Sequence, residues 1–126
     1  MISDLRSYIL DDSSISAVIG TRLFPEIAHN ITASDPYAIY TTISSNTVDS
    51  HSDSGLLHED LIEVSIHAST VSQIYDLAEL FRTRLNNKRV ALGSYDAYIK
   101  WSSFNTDYSD NDEIFSGSIT LDVTWS

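Results

Sequence analysis

The feature that most restricts what this chain can fold into is a change of period within residues 58–87. Across 58–68, Ile62, Val64, Ile66 and Ala68 alternate with Glu63, Ser65 and His67. A period of two marks a strand with one buried face. From Thr70 onward the apolar residues are Ile74, Leu77, Ala78, Phe81 and Leu85. That i, i+3, i+4, i+7 spacing marks an amphipathic helix. Thr70 and Gln73 fit a capping box, in which each side chain satisfies a free amide of the first turn. Asn86 and Asn87 end the helix, and Arg82, Arg84, Lys88 and Arg89 gather at its carbonyl end, where cations are favoured. Such a helix has to cover an apolar sheet, and the rest of the chain supplies that sheet.

The chain on either side reads as follows. Ile2, Leu5, Tyr8, Ile9 and Leu10 form one face of a first helix, with Ser3 or Asp4 as its cap, and Asp11-Asp12 interrupts it. Residues 13–20 make a further helical turn or two, closed by Gly20. Residues 22–25 are short and extended because Pro25 keeps Phe24 out of helical geometry. Residues 26–35 read as loop. Residues 36–44 are a strand rich in β-branched and aromatic residues, with Pro36 at its start and Tyr37, Ile39, Thr41 and Ile43 on one face. Residues 45–56 are polar, dominated by Ser and Asp with Val48 as an isolated apolar residue, and read as a flexible hairpin arm or loop.

Gly93-Ser94 makes a turn into a strand over 96–104. Ala97, Ile99, Trp101 and Ser103 lie on one face of it, and Tyr98, Lys100 and Phe104 on the other. An acidic loop over 106–113 leads to the last strand, 114–125, where Phe115, Gly117, Ile119, Leu121, Val123 and Trp125 face away from Ser116, Ser118, Thr120, Asp122 and Thr124. A strand with one apolar and one wettable face implies an antiparallel sheet covered on one side. The order α-β-β-α-β-β predicts an α+β fold: a mainly antiparallel four-stranded sheet, paired as two hairpins, with the helices packed on one face. At 126 residues the chain reads as a single domain that needs neither disulfide nor metal to fold.

Chemistry is hard to find in this chain. It has no cysteine, so thiol catalysis, disulfides and Cys-ligated zinc are excluded. Its net charge of -11 opposes any direct grip on nucleic acid phosphate. No run reaches the ~20 apolar residues of a membrane span, and the N-terminus lacks the pattern of a signal peptide, so the expectation is a soluble protein of the cell interior. The histidines are His29, His51, His58 and His67, and none sits in a zincin motif. His51, Asp53, His58, Glu59 and Asp60 could surround a cation only if a polar loop gathered them, so no metal site is assigned. Asp107, Asp110, Asp112 and Glu113 lack the glycine and the terminal Glu of a calcium loop and read as a solvated tip. No nucleophile elbow or phosphate-binding glycine loop occurs. The aromatic residues of the strands have only Lys100 for a cationic neighbour, which suits packing better than base stacking. No catalytic residue and no cofactor site is assigned, and the chain reads as an assembly module rather than an enzyme.

A set of stretches, taken in order, resembles the small tail-completion proteins of long-tailed bacteriophages, also called tail terminators or tail-to-head joining proteins. They are Ala17-Val-Ile-Gly20, Arg22-Leu-Phe-Pro25, the strand over 36–44, Ala68-Ser-Thr70 leading into Leu77-Ala-Glu-Leu-Phe-Arg82 and Leu85, and Asp112-Glu113 before the last strand. The resemblance covers nearly the whole chain. It implies a structural virion protein made in the host cytoplasm. Its copies form a ring, usually of six, at the head-proximal end of the tail tube. The ring would contact the tube protein and the head-closure protein while DNA passes through without specific binding, and no membrane is involved. Within that expectation Val48, Asp49, His51 and Asp53 are a candidate partner-docking arm, and Asp107, Asp110, Asp112 and Glu113 a candidate acidic lumen or rim. The alternatives are another neck or tail protein (head-closure factor or tube protein), a small cytoplasmic enzyme, and an adaptor domain.

Overall fold

The computed structural model of the chain describes residues 1–26, 36–49, 56–109 and 114–126. Helices α1 (Ile2–Leu10) and α2 (Ser13–Ile19) open the chain. Three strands follow: β1 (Leu23–Pro25), β2 (Tyr37–Asp49) and β3 (Leu56–Ala68). Helix α3 (Val71–Leu85) then leads to β4 (Lys88–Leu92), β5 (Tyr95–Ser109) and β6 (Ile114–Trp125).

The expected four-stranded antiparallel sheet is corrected. The strands form a six-stranded, mixed sheet in the order β1-β2-β3-β6-β5-β4, curled into a half-barrel, and three helices accompany it. The four long strands lie in the middle as the two antiparallel hairpins expected, β2–β3 and β5–β6, joined through an antiparallel β3–β6 pairing. Two short strands join the sheet: β4, which was not expected, and β1, within the stretch 22–25 read as extended but not counted among its strands. β1 has three residues, too few to show a period, and it pairs parallel to β2. Its placement depends on Arg22, whose guanidinium donates to the Pro36 carbonyl at 2.9 Å and the Val18 carbonyl at 3.1 Å. β4 begins directly after α3, because Asn87 adopts a φ of 53° and reverses the chain within one residue. Gly93, at φ 62°, turns it again into β5.

The periods read from the sequence define the core. Ile62, Val64 and Ile66 of β3, Ile119, Leu121 and Val123 of β6 and Ile99 of β5 are fully buried. Ile74, Leu77, Phe81 and Leu85 of α3 lie against them, and α1 and α2 pack on α3. Each such side chain contributes about 1.5–3 kcal/mol of burial free energy. At Gly117 the helix and sheet approach so closely that an added Cβ would lie 2.7 Å from the Phe104 ring and 3.0 Å from Ile74.

Local signals held in part. Thr70 caps α3 by accepting from the Gln73 amide at 3.2 Å, but the Gln73 side chain pairs with Ser69 instead of closing the box. Gly20 closes α2 with a φ of 58°. The N-cap of α1 is Met1, without a side-chain bond, rather than Ser3 or Asp4. Asp12, read as an interruption, caps α2 by accepting from the Ser14 and Ile15 amides. In β5 a bulge between Trp101 and Ser103 shifts the register, so Phe104 pairs with Ile119 and joins the helix-covered face instead of lying with Tyr98 and Lys100.

Candidate assembly surfaces

The described structure offers edges, two charged flanks and one buried carboxylate network. The carboxylate is Asp60, which continues the apolar face of β3 and is 7% exposed. Its Oδ1 accepts from Ser45 Oγ at 2.5 Å and its Oδ2 from the Trp125 indole N–H at 3.1 Å. Trp125 stacks on His58 with ring centres 4.2 Å apart and meets Tyr95 edge-on at 4.7 Å. The network therefore bolts β2 and β6 to β3 at one end of the sheet. A buried carboxylate needs such donors, because leaving it unpaired is costly.

These contacts separate the residues considered for a cation. Asp60 and His58 point to the helix-covered face and are occupied by ring and hydrogen-bond contacts, while Glu59, between them in the strand, points to the other face. His51 and Asp53 lie outside the described residues. Among the described residues no three His, Asp or Glu side chains converge on a metal site, and no helix is long and apolar enough to cross a membrane.

The polar arm over 45–56 is strand at both ends. Residues 45–49 belong to β2, and Leu56 begins β3. The candidate residues Val48 and Asp49 are paired in register with Leu57 and Leu56. In the acidic candidate set Asp107 lies on β5 opposite Ser116. Asp110, Asp112 and Glu113 lie outside the described residues, as does the loop expected over 27–35. β5 runs to Ser109, so the first residues of the expected acidic loop are strand.

Among the described residues the short strands β1 and β4 cover only part of the strands beside them. β1 covers β2 only at residues 38–40, and β4 covers β5 only at residues 95–99. Among the described residues no further strand pairs with the outer side of β2 past Tyr40 or of β5 past Ile99, which leaves a template for another chain. Ile43, 50% exposed, and Leu57 lie on the β2–β3 side. Tyr75, 55% exposed, and Tyr98 lie on the side of α3 and β5. An open concavity of about 460 Å³ at the β4–β5–β6 end is lined by Leu57, Arg89, Asp96, Tyr98 and Thr124. Its Arg89 guanidinium stands 5.7 Å from the Tyr98 ring centre.

The sheet face away from the helices carries Ser65 and His67. Ser65 Oγ and His67 Nε2 are 2.9 Å apart, and the imidazole stacks on Tyr37 at 4.6 Å. Burial pushes the His67 pKa below its usual value of 6.5.

The cations read at the carbonyl end of α3 belong to a wider pattern along the chain. Residues 23–81 contain no Lys or Arg, whereas Arg82, Arg84, Lys88, Arg89 and Lys100 crowd into the next stretch with Asp96 as its acid. Counting charge in windows instead of over the whole chain exposes it.

No protein-family model and no curated protein sequence matches the chain. Solved structures match its fold. A chain from the structure described as "Virion of native gene transfer agent (GTA) particle" superposes with a TM-score of 0.72, covering 98% of this chain and 96% of that one at 10% sequence identity. A second solved chain, with no functional description, has a TM-score of 0.62 and covers 100% of this chain and 96% of its own length at 12% identity. At such identities the likeness establishes the fold alone, over nearly the full length of each chain.

Proposed function

We propose that this protein is a structural component of a phage-like virion, and that it closes the head-proximal end of a tail tube and joins it to the head as a ring. The observation that carries this reading is the end-to-end fold match with a chain of a gene transfer agent virion. The ordered sequence resemblance to tail-completion proteins supports the narrower role. So does the shape of the sheet, whose open β2 and β5 edges suit contacts with neighbouring copies.

In this reading the protein works without catalytic residues. The β2–β3 arm, with Val48, Asp49, His51 and Asp53, docks against the tube or head-closure protein. Asp107, Asp110, Asp112 and Glu113 line the rim past which DNA moves, and like charge keeps the DNA from adhering.

The test is electron microscopy of particles assembled without this gene. Overlong tubes, or filled heads beside unattached tails, are the expected result. Complete absence of tails would assign the chain to the tube or to an earlier step. Normal, functional particles would refute the structural role.

A further inference from the structure

A chain with a net charge of -11 repels its own copies, so self-assembly has to be arranged around the places where the sign reverses. Three cations are occupied within the fold: Arg6, Arg22 and Arg84 donate to main-chain carbonyls. The other four, Arg82, Lys88, Arg89 and Lys100, are exposed, and among the described residues none is in an ion pair. All four lie on one flank. Arg82 is on α3 beside Glu79, Trp101 and Phe104, Lys88 and Arg89 are on the edge strand β4 with Asp96 near Arg89, and Lys100 is on β5 opposite Asp122. The opposite flank is the β2–β3 hairpin, which carries the exposed Glu59 and the half-buried Glu63 and has no cation.

Among the described residues no ion pair joins the two flanks inside one copy. Arg89, Tyr98, Thr124 and Glu59 form one cross-strand row, with Arg89 and Glu59 at its ends. Three strand spacings separate them, about 14 Å along the sheet. That exceeds the screening length of about 8 Å at physiological salt. A two-fold contact about either end of this row would set Arg89 on Arg89 or Glu59 on Glu59. A head-to-tail contact sets opposite signs together, and head-to-tail contacts are the kind that close into rings. Exposed apolar side chains also lie on both flanks, Tyr75 and Tyr98 on the basic one and Ile43 on the β2–β3 one. Charge selects the orientation, and these side chains supply apolar area at the contact.

We propose that copies of this chain join head to tail, the basic flank of one (Arg82, Lys88, Arg89, Lys100) seating on the acidic β2–β3 flank of the next (Glu59, Glu63). The contact rests on the ring reading above and names the surfaces that close the ring.

Charge exchange tests it in particles assembled from variants of the gene. Arg89→Glu and Glu59→Arg each place like charges at every junction of the ring, and each is expected to lower the yield of joined particles at least tenfold. Combining both substitutions in one chain restores opposite signs at every junction and is expected to bring the yield back to within about threefold. The same recovery is expected when the two single variants are co-expressed, because alternating copies then match. Normal yield from both single variants, or loss that neither combination repairs, overturns the proposal and assigns the flanks to another partner such as DNA or a neck protein.

Carbodiimide cross-linking of unaltered protein gives a second measurement that does not depend on a variant's folding. With isotope-labelled and unlabelled copies mixed, Lys88 or Lys100 is expected to join Glu59 or Glu63 of a different copy. Lysine cross-links only to other proteins would overturn it. Intact particles in the absence of the gene refute the assembly role itself, whereas defective particles with an unrepaired charge exchange refute only this contact.

Discussion

Tyr8 and Arg84 hold each other by both their side chains and their main chains, across 76 positions of sequence. The Tyr8 hydroxyl donates to the Arg84 carbonyl at 3.0 Å, and the Arg84 guanidinium returns two bonds to the Tyr8 carbonyl, at 3.0 and 2.7 Å. The same guanidinium lies over the Tyr8 ring, 3.7 Å from its centre. This clasp ties the end of α1 to the end of α3, and it satisfies a carbonyl near each helix terminus that has no partner within its own helix.

Arg84→Ala removes two charge-assisted bonds and the ring contact together. The expected loss of stability is about 2 kcal/mol. Arg84→Lys keeps the charge but not the fork of donors, so an intermediate loss is expected. Urea unfolding checks both. An Arg84→Ala midpoint indistinguishable from that of the parent would show that the clasp contributes nothing.

Asp60 is the acceptor for both Ser45 and Trp125. Asp60→Ala leaves an indole N–H and a hydroxyl without a partner, at a cost of about 1–3 kcal/mol. Asp60→Asn retains an acceptor oxygen and is expected to cost less. Because Trp125 loses its hydrogen bond, its fluorescence should change along with stability in the alanine variant. Unchanged tryptophan emission would argue that the Trp125 bond is absent in solution.

His67 supplies a pH dependence of known sign. Burial holds its folded pKa below 6.5, so the unfolded chain binds the proton more readily. Above 6.5 the ring is neutral in both states and its contribution is fully present. As pH falls through the window between 6.5 and the lower folded value, stability falls, and below that value the dependence levels off. The His67 ring signals in an NMR titration should accordingly move with a midpoint below 6.5, and His67→Gln should flatten this part of the stability curve. A midpoint at or above 6.5 would contradict the burial.

Much of the fold was legible because it is written in local repetition. Ile62, Val64 and Ile66 alternate with polar residues, and Ile119, Leu121 and Val123 do the same, so the buried face of each central strand could be read directly. Ile74, Leu77, Phe81 and Leu85 revealed α3 in the same way. The surfaces were less legible. Val48 and Asp49 read as part of a flexible hairpin arm or loop because their composition is polar, and pairing with Leu57 and Leu56 extends the strand through them. Phe104 was assigned to the wrong face because alternation counts residues evenly, and a bulge adds one.

What the sequence by itself determined is which residues turn inward and which local period each segment follows. Side-chain alternation and helical spacing depend only on neighbours in the chain. What only the tertiary structure decided is how the sheet ends. The parallel β1, the edge strand β4, the Tyr8–Arg84 clasp and the separation of Arg89 from Glu59 all depend on contacts between residues distant in sequence. Three residues of β1 carry no period, and a lone Arg gives no sign of which carbonyl it will reach. Those placements come from closing the chain on itself, where main-chain groups take whichever partners the packed core brings within reach.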